Sequence, residues 1–253
     1  MYAKSQKYND INKIFICLCL MFLFDNVCLA QHKNNISVDA GLLQLKDELN
    51  QSMVYNGPQL GFRYGRNWFF ENWELRYNPK VAFGTPFNRS MIAANIRFVP
   101  IDFSAMKPIS QTGFRVGLNF SADYNFQAYP HQLAAFLFWH GAIGISPRVE
   151  YVFQWEQSRI KLSAQNSLAG FVSRTEYISH YFHSFKLSVF FVKPHQNMQF
   201  GSFDKYVHFN GSIEYTPNVN RNHSFAFGLE YIDSYFSNRF QSLNYYLRWK
   251  KSF

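Results

Sequence analysis

The chain has 253 residues, of which 20% are aromatic and 16% are charged, and its formal net charge is +9. After residue 30 there is no run of about 18 apolar residues, so the composition excludes a helical membrane protein. Aromatic residues alternate with polar ones, and charge is spread along the chain instead of gathering in tails, which argues against disorder.

The first thirty residues differ from the rest of the chain. Lysines at positions 4, 7 and 13 precede an apolar run at 14–24, and Ala30 then leads into Gln31. This order of charge, apolar run and small residue predicts a secretory signal peptide at 1–30, cleaved after Ala30. The folded domain is then expected at 31–253.

All three cysteines fall within the predicted signal peptide: Cys17, Cys19 and Cys28. We therefore expect no disulfide, thiolate metal site or cysteine nucleophile in the mature chain. Removing residues 1–30 takes away three Lys and two Asp, so the net charge falls from +9 to +8. Export argues against a nucleic-acid partner, and the positive charge is expected to face a lumen or anionic lipid headgroups.

From Gln31 onward, alternating segments of strand length are separated by polar breaks such as 46–56. In 114–124, for example, Phe114 and Leu118 alternate with Arg115 and Asn119, which is the two-residue period of a strand. Residues 132–139 lack alternation and leave a short strand, a helical plug or a buried loop open. The other segments predicted as strands are 35–45, 57–67, 71–83, 90–100, 114–124, 142–155, 158–171, 183–193, 204–216, 222–234 and 239–253.

The closing segment, RFQSLNYYLRWKKSF, places Leu247 and Trp249 on one face and Arg248 and Lys250 on the other. It resembles the last strand of the outer-membrane β-barrels of Gram-negative bacteria. That strand alternates in this way and ends on a C-terminal Phe, here Phe253, which the barrel-assembly machinery reads. The resemblance implies an all-β, transmembrane, antiparallel up-and-down β-barrel in the cell outer membrane. Periodicity alone would equally suit a soluble sandwich or barrel.

The strand count follows from the segments and from the even numbers that such barrels favour. Counting 132–139 gives about twelve strands, and ten is the alternative. Twelve strands place the breaks at 101–111 and 172–182 on the periplasmic side. Turns on that side should be short, so this consequence of twelve strands conflicts with the expected pattern.

The polar parity of these strands is expected to line the lumen. Charges of both signs in a narrow interior suggest either a salt-bridged filling or an aqueous path whose positive excess favours anions. The predicted lining residues are Arg63, Arg76, Lys80, Arg97, Arg115, Arg148, Lys161, Lys186, Arg248, Glu74, Asp123, Glu150, Glu214 and Glu230.

Aromatic residues near segment ends predict a girdle at the membrane interface, where rings with one polar edge are favoured. The predicted girdle residues are Trp73, Trp155, Tyr245, Trp249 and Phe253. Trp139 is left open between the girdle and burial under a loop.

The densest combination of nucleophile and base is Ser179, His180, His183 and Ser184. Outer-membrane phospholipases and lipid A deacylases often carry His and Ser two residues apart, which puts both side chains on one face of a strand. Here the His and Ser residues are adjacent, so on a strand they would face opposite ways. No metal site or cofactor is predicted.

The sequence thus suggests an outer-membrane barrel without catalysis, acting as a small channel or as a structural or assembly component of the cell envelope. The alternative is a lipid hydrolase of the phospholipase or lipid A deacylase type, using Ser and His near the membrane rim. The expected partners are outer-membrane lipid, the barrel-assembly machinery and other envelope proteins.

Overall fold

Antiparallel strand pairing dominates the computed structural model of the protein. The structure describes residues 31–50, 52–89, 91–109, 113–130, 137–174, 195, 198–217, 222–236 and 238–253. Within these ranges no helix is long and apolar enough to cross a membrane. The strands are β1 (Gln31–Asp47), β2 (Val54–Phe69), β3 (Glu74–Tyr77), β4 (Lys80–Gly84), β5 (Phe87–Asn88), β6 (Met91–Ile92), β7 (Ala94–Pro108), β8 (Phe114–Ala128), β9 (Leu137–Trp155), β10 (Ser158–Asn166), β11 (Ala169–Arg174), β12 (Gln199–Ser202), β13 (Tyr206–Thr216), β14 (His223–Tyr235) and β15 (Arg239–Ser252).

The sheet closes on itself. β1 pairs with both β15 and β2, so Val38 has Trp249 on one side and Phe62 on the other. Some of the short strands follow one another along a single strand of the barrel. There are four such groups: β3, β4 and β5; β6 and β7; β10 and β11; β12 and β13. When each such group is counted as one strand, the structure is a closed antiparallel barrel of ten strands, which confirms the ten-strand alternative. A closed sheet has no free edge.

The prediction of twelve strands was wrong because the real strands are longer than the alternating segments. β9 begins at Leu137 and therefore absorbs the end of the ambiguous segment 132–139. β7 continues to Pro108 and covers most of the predicted break at 101–111. The predicted strand at 183–193 lies outside the described residues.

Two prolines explain why one barrel strand is divided into β3 and β4. Pro79 follows Tyr77 and Asn78, and Pro100 lies opposite in β7, where the register shifts between Phe98 and Ile101. Proline has no N–H to donate to the ladder. Local bonds replace the regular ones there: the Asn78 N–H donates to the Asp102 carbonyl at 2.8 Å, and the Tyr77 hydroxyl to the Pro100 carbonyl at 2.8 Å.

Both chain ends of the barrel lie at the same rim, which we call the termini end. The connections at the termini end are the short segments 70–73, 109–113, 156–157 and 217–222. The connection that follows β11, which contains most of the predicted break at 172–182, leaves from the opposite end. The ten-strand barrel therefore removes the conflict that twelve strands created.

The outer surface of the barrel is apolar and the inner surface is largely polar. Leu42 and Leu247 are each 65% exposed on neighbouring strands, while the charged residues Asp39 and Arg97 are buried. Apolar outside and polar inside is the arrangement of a transmembrane barrel, because lipid replaces water around it. Other large exposed apolar residues are Phe62, Phe83, Ile92, Leu118, Ile213, Phe225 and Phe227.

Candidate functional site

The barrel interior contains the residues predicted to line a lumen, and they are joined in ion pairs. Lys186 lies outside the described residues. The remaining predicted residues that take part in interior ion pairs are Arg63, Arg76, Lys80, Arg97, Arg115, Arg148, Lys161, Arg248, Glu74, Asp123, Glu150, Glu214 and Glu230. The interior divides into three levels along the barrel axis.

The middle level is a charge-balanced cluster centred on Arg97. Its Nε donates to Asp123 at 2.9 Å, and its two terminal nitrogens donate to the two oxygens of Glu230 at 2.6 and 2.7 Å. Lys80 also reaches Glu230, at 3.2 Å, and His208 Nε2 lies 3.0 Å from the same carboxylate. All five side chains are buried, and two cations face two carboxylates.

Asp123, His208 and Glu230 bring three metal-ligating side chains within 4.8 Å of one another. Arg97 donates to both carboxylates, and a metal ion would have to displace these bonds. The arrangement is therefore that of a buried ion-pair cluster.

The level toward the termini end surrounds a cavity of about 320 Å³, which we call the vestibule. Its walls include Lys33 and Ser252 at the rim and Asp102 and Arg248 deeper inside. Asp39 lies behind the wall between Arg63, at 3.2 Å, and Arg248, at 2.6 Å. The vestibule is polar and opens at the termini end.

Three more carboxylates of this level are each shared by two cations. Glu150 lies 2.5 Å from Arg76 and 2.9 Å from Arg148. Glu74 lies 2.7 Å from Arg76 and 2.6 Å from Arg115. Glu214 pairs with Lys161 at 2.6 Å and also with Lys250, and it accepts a bond from the Ser224 hydroxyl at 2.7 Å.

The level toward the opposite end is an apolar plug. Its members come from strands all around the barrel and pack together in its cross-section. We define the plug as Leu43, Leu45, Tyr55, Ala93, Tyr129, Phe138, Ala142, Val172, Tyr206, Ile232 and Phe240.

Within the plug, Phe240 also contacts polar side chains. The Arg174 guanidinium lies 4.9 Å from the ring centroid, and the His140 ring stacks on it at 4.8 Å. Arg174 donates to Asp47 at 2.7 Å, which satisfies the buried cation. Burial raises the pKa of Tyr129, which follows the end of β8, and the nearby Asp47 carboxylate adds to the increase.

The interior charged or titratable residues that were missed in the sequence are Lys33, Asp39, Asp47, Asp102, His140, Arg159, Arg174, His208 and Lys250. Lys250 and His208 share the polar parity of their strands, so alternation could have identified them. Asp47, Asp102 and Arg174 fell in segments assigned to loops or breaks. Their signal was hidden by strands that continue past the alternating segments.

Outward aromatic residues form part of a band at the termini end. Trp155 ends β9 and is 64% exposed, Trp73 lies in the 70–73 connection, and Trp249 and Phe253 lie at the end of the last strand. Tyr245 also faces outward, but at the middle of β15. Trp139 is 7% exposed and is therefore buried.

The candidate catalytic residues Ser179, His180, His183 and Ser184 lie outside the described residues. The adjacent pair at 223–224 shows the effect of the two-residue period. His223 stacks on the outward Trp249 at 5.6 Å, whereas the Ser224 hydroxyl points inward to Glu214.

The chain was compared with protein families, curated proteins and solved structures. Neither models of protein families nor curated protein sequences match the chain. Among solved structures, the translocator domain of the autotransporter NalP from Neisseria meningitidis is 8% identical, with 98% of each chain covered and a TM-score of 0.43.

Two further solved structures are similar at the same level. The outer-membrane protease OmpT from Escherichia coli is 8% identical, with 88% of this chain and 96% of that chain covered and a TM-score of 0.45. The β domain of the Bordetella autotransporter BrkA is 9% identical, with 88% and 99% covered and a TM-score of 0.45. These values say nothing about activity, and the barrel itself is established by its strand pairing.

Proposed function

We propose that the protein is an integral outer-membrane barrel without catalysis that serves the cell envelope as a closed structural component and not as an open channel. The apolar plug is the observation that carries this proposal. Side chains from strands all around the barrel meet in it, and the ion-paired cluster around Arg97 fills the level below. Small barrels are commonly filled by their own side chains in this way.

Location in the outer membrane is supported by the apolar exterior and by the terminal Phe253. Large apolar residues face outward on neighbouring strands, where lipid would cover them. The partners we propose are outer-membrane lipid along this surface, the barrel-assembly machinery at the last strand, and other envelope proteins at the exposed ends. Export by the signal peptide at 1–30 belongs to the same proposal.

Planar-bilayer recording tests whether the barrel is closed. The purified wild-type protein should insert without producing stable conductance steps. A variant that combines Tyr129→Ala and Phe240→Ala with Arg97→Ala should produce steps, because it removes two aromatic side chains from the plug and the central side chain of the ion-paired cluster below it.

A matched control replaces two outward aromatic residues by Phe225→Ala and Phe227→Ala, which should leave the barrel silent. Insertion of every variant is checked by protease protection in vesicles. Stable conductance steps from the wild-type protein would overturn the closed-barrel proposal in favour of the small channel.

A further inference from the structure

We propose that the vestibule is a binding site for a small multivalent oxyanion of the phosphate or polyphosphate class. The site goes beyond the proposed structural function, because anion binding from the termini end does not depend on whether the barrel conducts. The cavity of about 320 Å³ falls within the size range of small-ligand sites.

The charge lining the vestibule is strongly positive. Nine cationic side chains line it: Lys33, Arg63, Arg76, Arg115, Arg148, Arg159, Lys161, Arg248 and Lys250. Three acidic side chains line it, Glu74, Asp102 and Glu214, and the buried carboxylates of Asp39 and Glu150 lie directly behind the wall. Nine cations against five carboxylates leave four positive charges without a negative counterpart.

The carboxylates in and behind the wall of the vestibule already form ion pairs within the barrel. Asp39, Glu74, Glu150 and Glu214 each contact two cations, so none has a free side from which to neutralise a further one. Asp102 lies 3.8 Å from Arg63, which makes it a weak partner. Among the described residues, no further carboxylate lines the vestibule to balance this positive excess.

Three cations near the mouth of the vestibule retain unused donors. Lys33 and Arg159 are exposed and form no ion pair with any other described residue. Arg115 lines the cavity, contacts Glu74 through one terminal nitrogen, and has a side chain that is 34% exposed. All three lie on the inward parity of their strands.

An oxyanion with several charged oxygens matches this set of donors. Guanidinium groups bind phosphate oxygens through two parallel hydrogen bonds, and lysine adds a point charge. Like charges held in a partly enclosed cavity repel each other more strongly than in bulk water, so an anion gains more there than at an open surface. The charge-balanced level around Arg97 provides no such excess.

Isothermal titration calorimetry with inorganic pyrophosphate measures binding to the detergent-solubilised barrel and tests the site. The wild-type protein should bind one equivalent, more weakly as the salt concentration rises. The double variant Arg115→Gln with Arg159→Gln should weaken binding by about ten-fold or more, since hydrogen bonds to charged groups are lost.

The control variant combines Lys107→Gln with Lys251→Gln. Like the first double variant, it removes two positive charges. Here they are removed from exposed residues that lie next in sequence to the inward-facing Met106 and Lys250. Its affinity for pyrophosphate should stay within about two-fold of wild type, because charges on the outer surface are screened. Absence of binding to the wild type, or equal weakening in both double variants, would overturn the proposal.

Phosphate groups are also present in lipid headgroups, so the source of the anion needs a second measurement. Pyrophosphate is titrated into the barrel in nanodiscs of phosphatidylcholine and in nanodiscs of phosphatidylglycerol. Equal affinity in both supports a soluble oxyanion. Loss of pyrophosphate binding in the anionic nanodiscs alone would overturn that assignment, because the headgroups would already fill the site.

Discussion

The two ends of the barrel interior differ although the same strands build both. At the termini end, β1 contributes Asp39 and β15 contributes Arg248 to an ion pair of the charged level. At the opposite end, β1 contributes Leu43 and Leu45 and β15 contributes Phe240 to the plug. Alternation along a strand therefore decides which residues face inward. It does not decide whether the interior at that level is wet, ion-paired or dry.

The level between the two ends should be the most sensitive to mutation. Replacing Arg97 by Ala leaves Asp123 and Glu230 buried without their main partner. Breaking a buried pair in this way costs about 3–5 kcal/mol. Urea titration of the barrel in lipid vesicles, followed by tryptophan fluorescence, measures the loss.

The exposed pair of Arg239 and Asp233 provides the control for this prediction. The two side chains lie 2.6 Å apart, with 46% of the Arg239 side chain exposed. Arg239→Ala should cost less than about 1 kcal/mol, because solvent screens the pair. Equal losses for Arg97→Ala and Arg239→Ala would show that the middle level is hydrated.

A second prediction tests the plug. Phe240→Ala removes a fully buried ring that packs against His140 and Arg174. The free energy of unfolding should fall by about 3 kcal/mol because a cavity is created. The matched outward change, Phe227→Ala, should cost less in the same urea titration, since that ring is 53% exposed on the lipid-facing side.

A third prediction concerns the wall of the vestibule, where Tyr246 lies over Gly228. A Cβ at position 228 would overlap the Tyr246 ring, whose centroid also lies 4.7 Å from the Arg248 guanidinium carbon. Gly228→Ala should therefore destabilise the barrel by about 1–3 kcal/mol through overpacking. Tyr246→Phe keeps the ring and should cost less. Combining Gly228→Ala with Tyr246→Ala should cost less than the sum of the two single losses, because the smaller side chain leaves room for the added methyl group.

The smallest effect is expected for the replacements that test the alternative hydrolase function, measured as lipid cleavage. Replacing both His183 and Ser184 by Ala should leave the cleavage of outer-membrane phospholipid and lipid A unchanged relative to wild type. Thin-layer chromatography of labelled lipid checks this outcome. Loss of a lipid-cleaving activity in a variant that still folds would instead support the hydrolase.

The sequence predicted much of the fold because lipid on one side and polar groups on the other impose a period of two on every strand. Arg97, Asp123 and Glu230 could be assigned to the interior in this way, and so could Lys250 on the last strand. The strand count was harder. β9 runs through residues whose alternation is lost where both faces become apolar, as at Phe138 and Trp139.

The plug was not predicted for a related reason. Leu43, Leu45 and Phe240 are apolar residues on the inward parity, where a polar lumen was expected. Their meeting depends on how distant strands are aligned around the barrel, and periodicity within one strand contains no information about that. The shared carboxylates of the vestibule depend on the same alignment.

Labelling of introduced cysteines tests the difference between the two ends most directly. The only cysteines of the chain lie at positions 17, 19 and 28, within the predicted signal peptide, so an introduced thiol in the barrel is labelled without a native background. Ser163→Cys places a thiol in the wall of the vestibule, and Ser234→Cys places one at a fully buried position in β14, two residues from the plug residue Ile232. We expect a water-soluble maleimide to label the S163C variant rapidly in detergent and to leave the S234C variant unlabelled until it is unfolded. Equally rapid labelling of both folded variants would contradict the closed barrel.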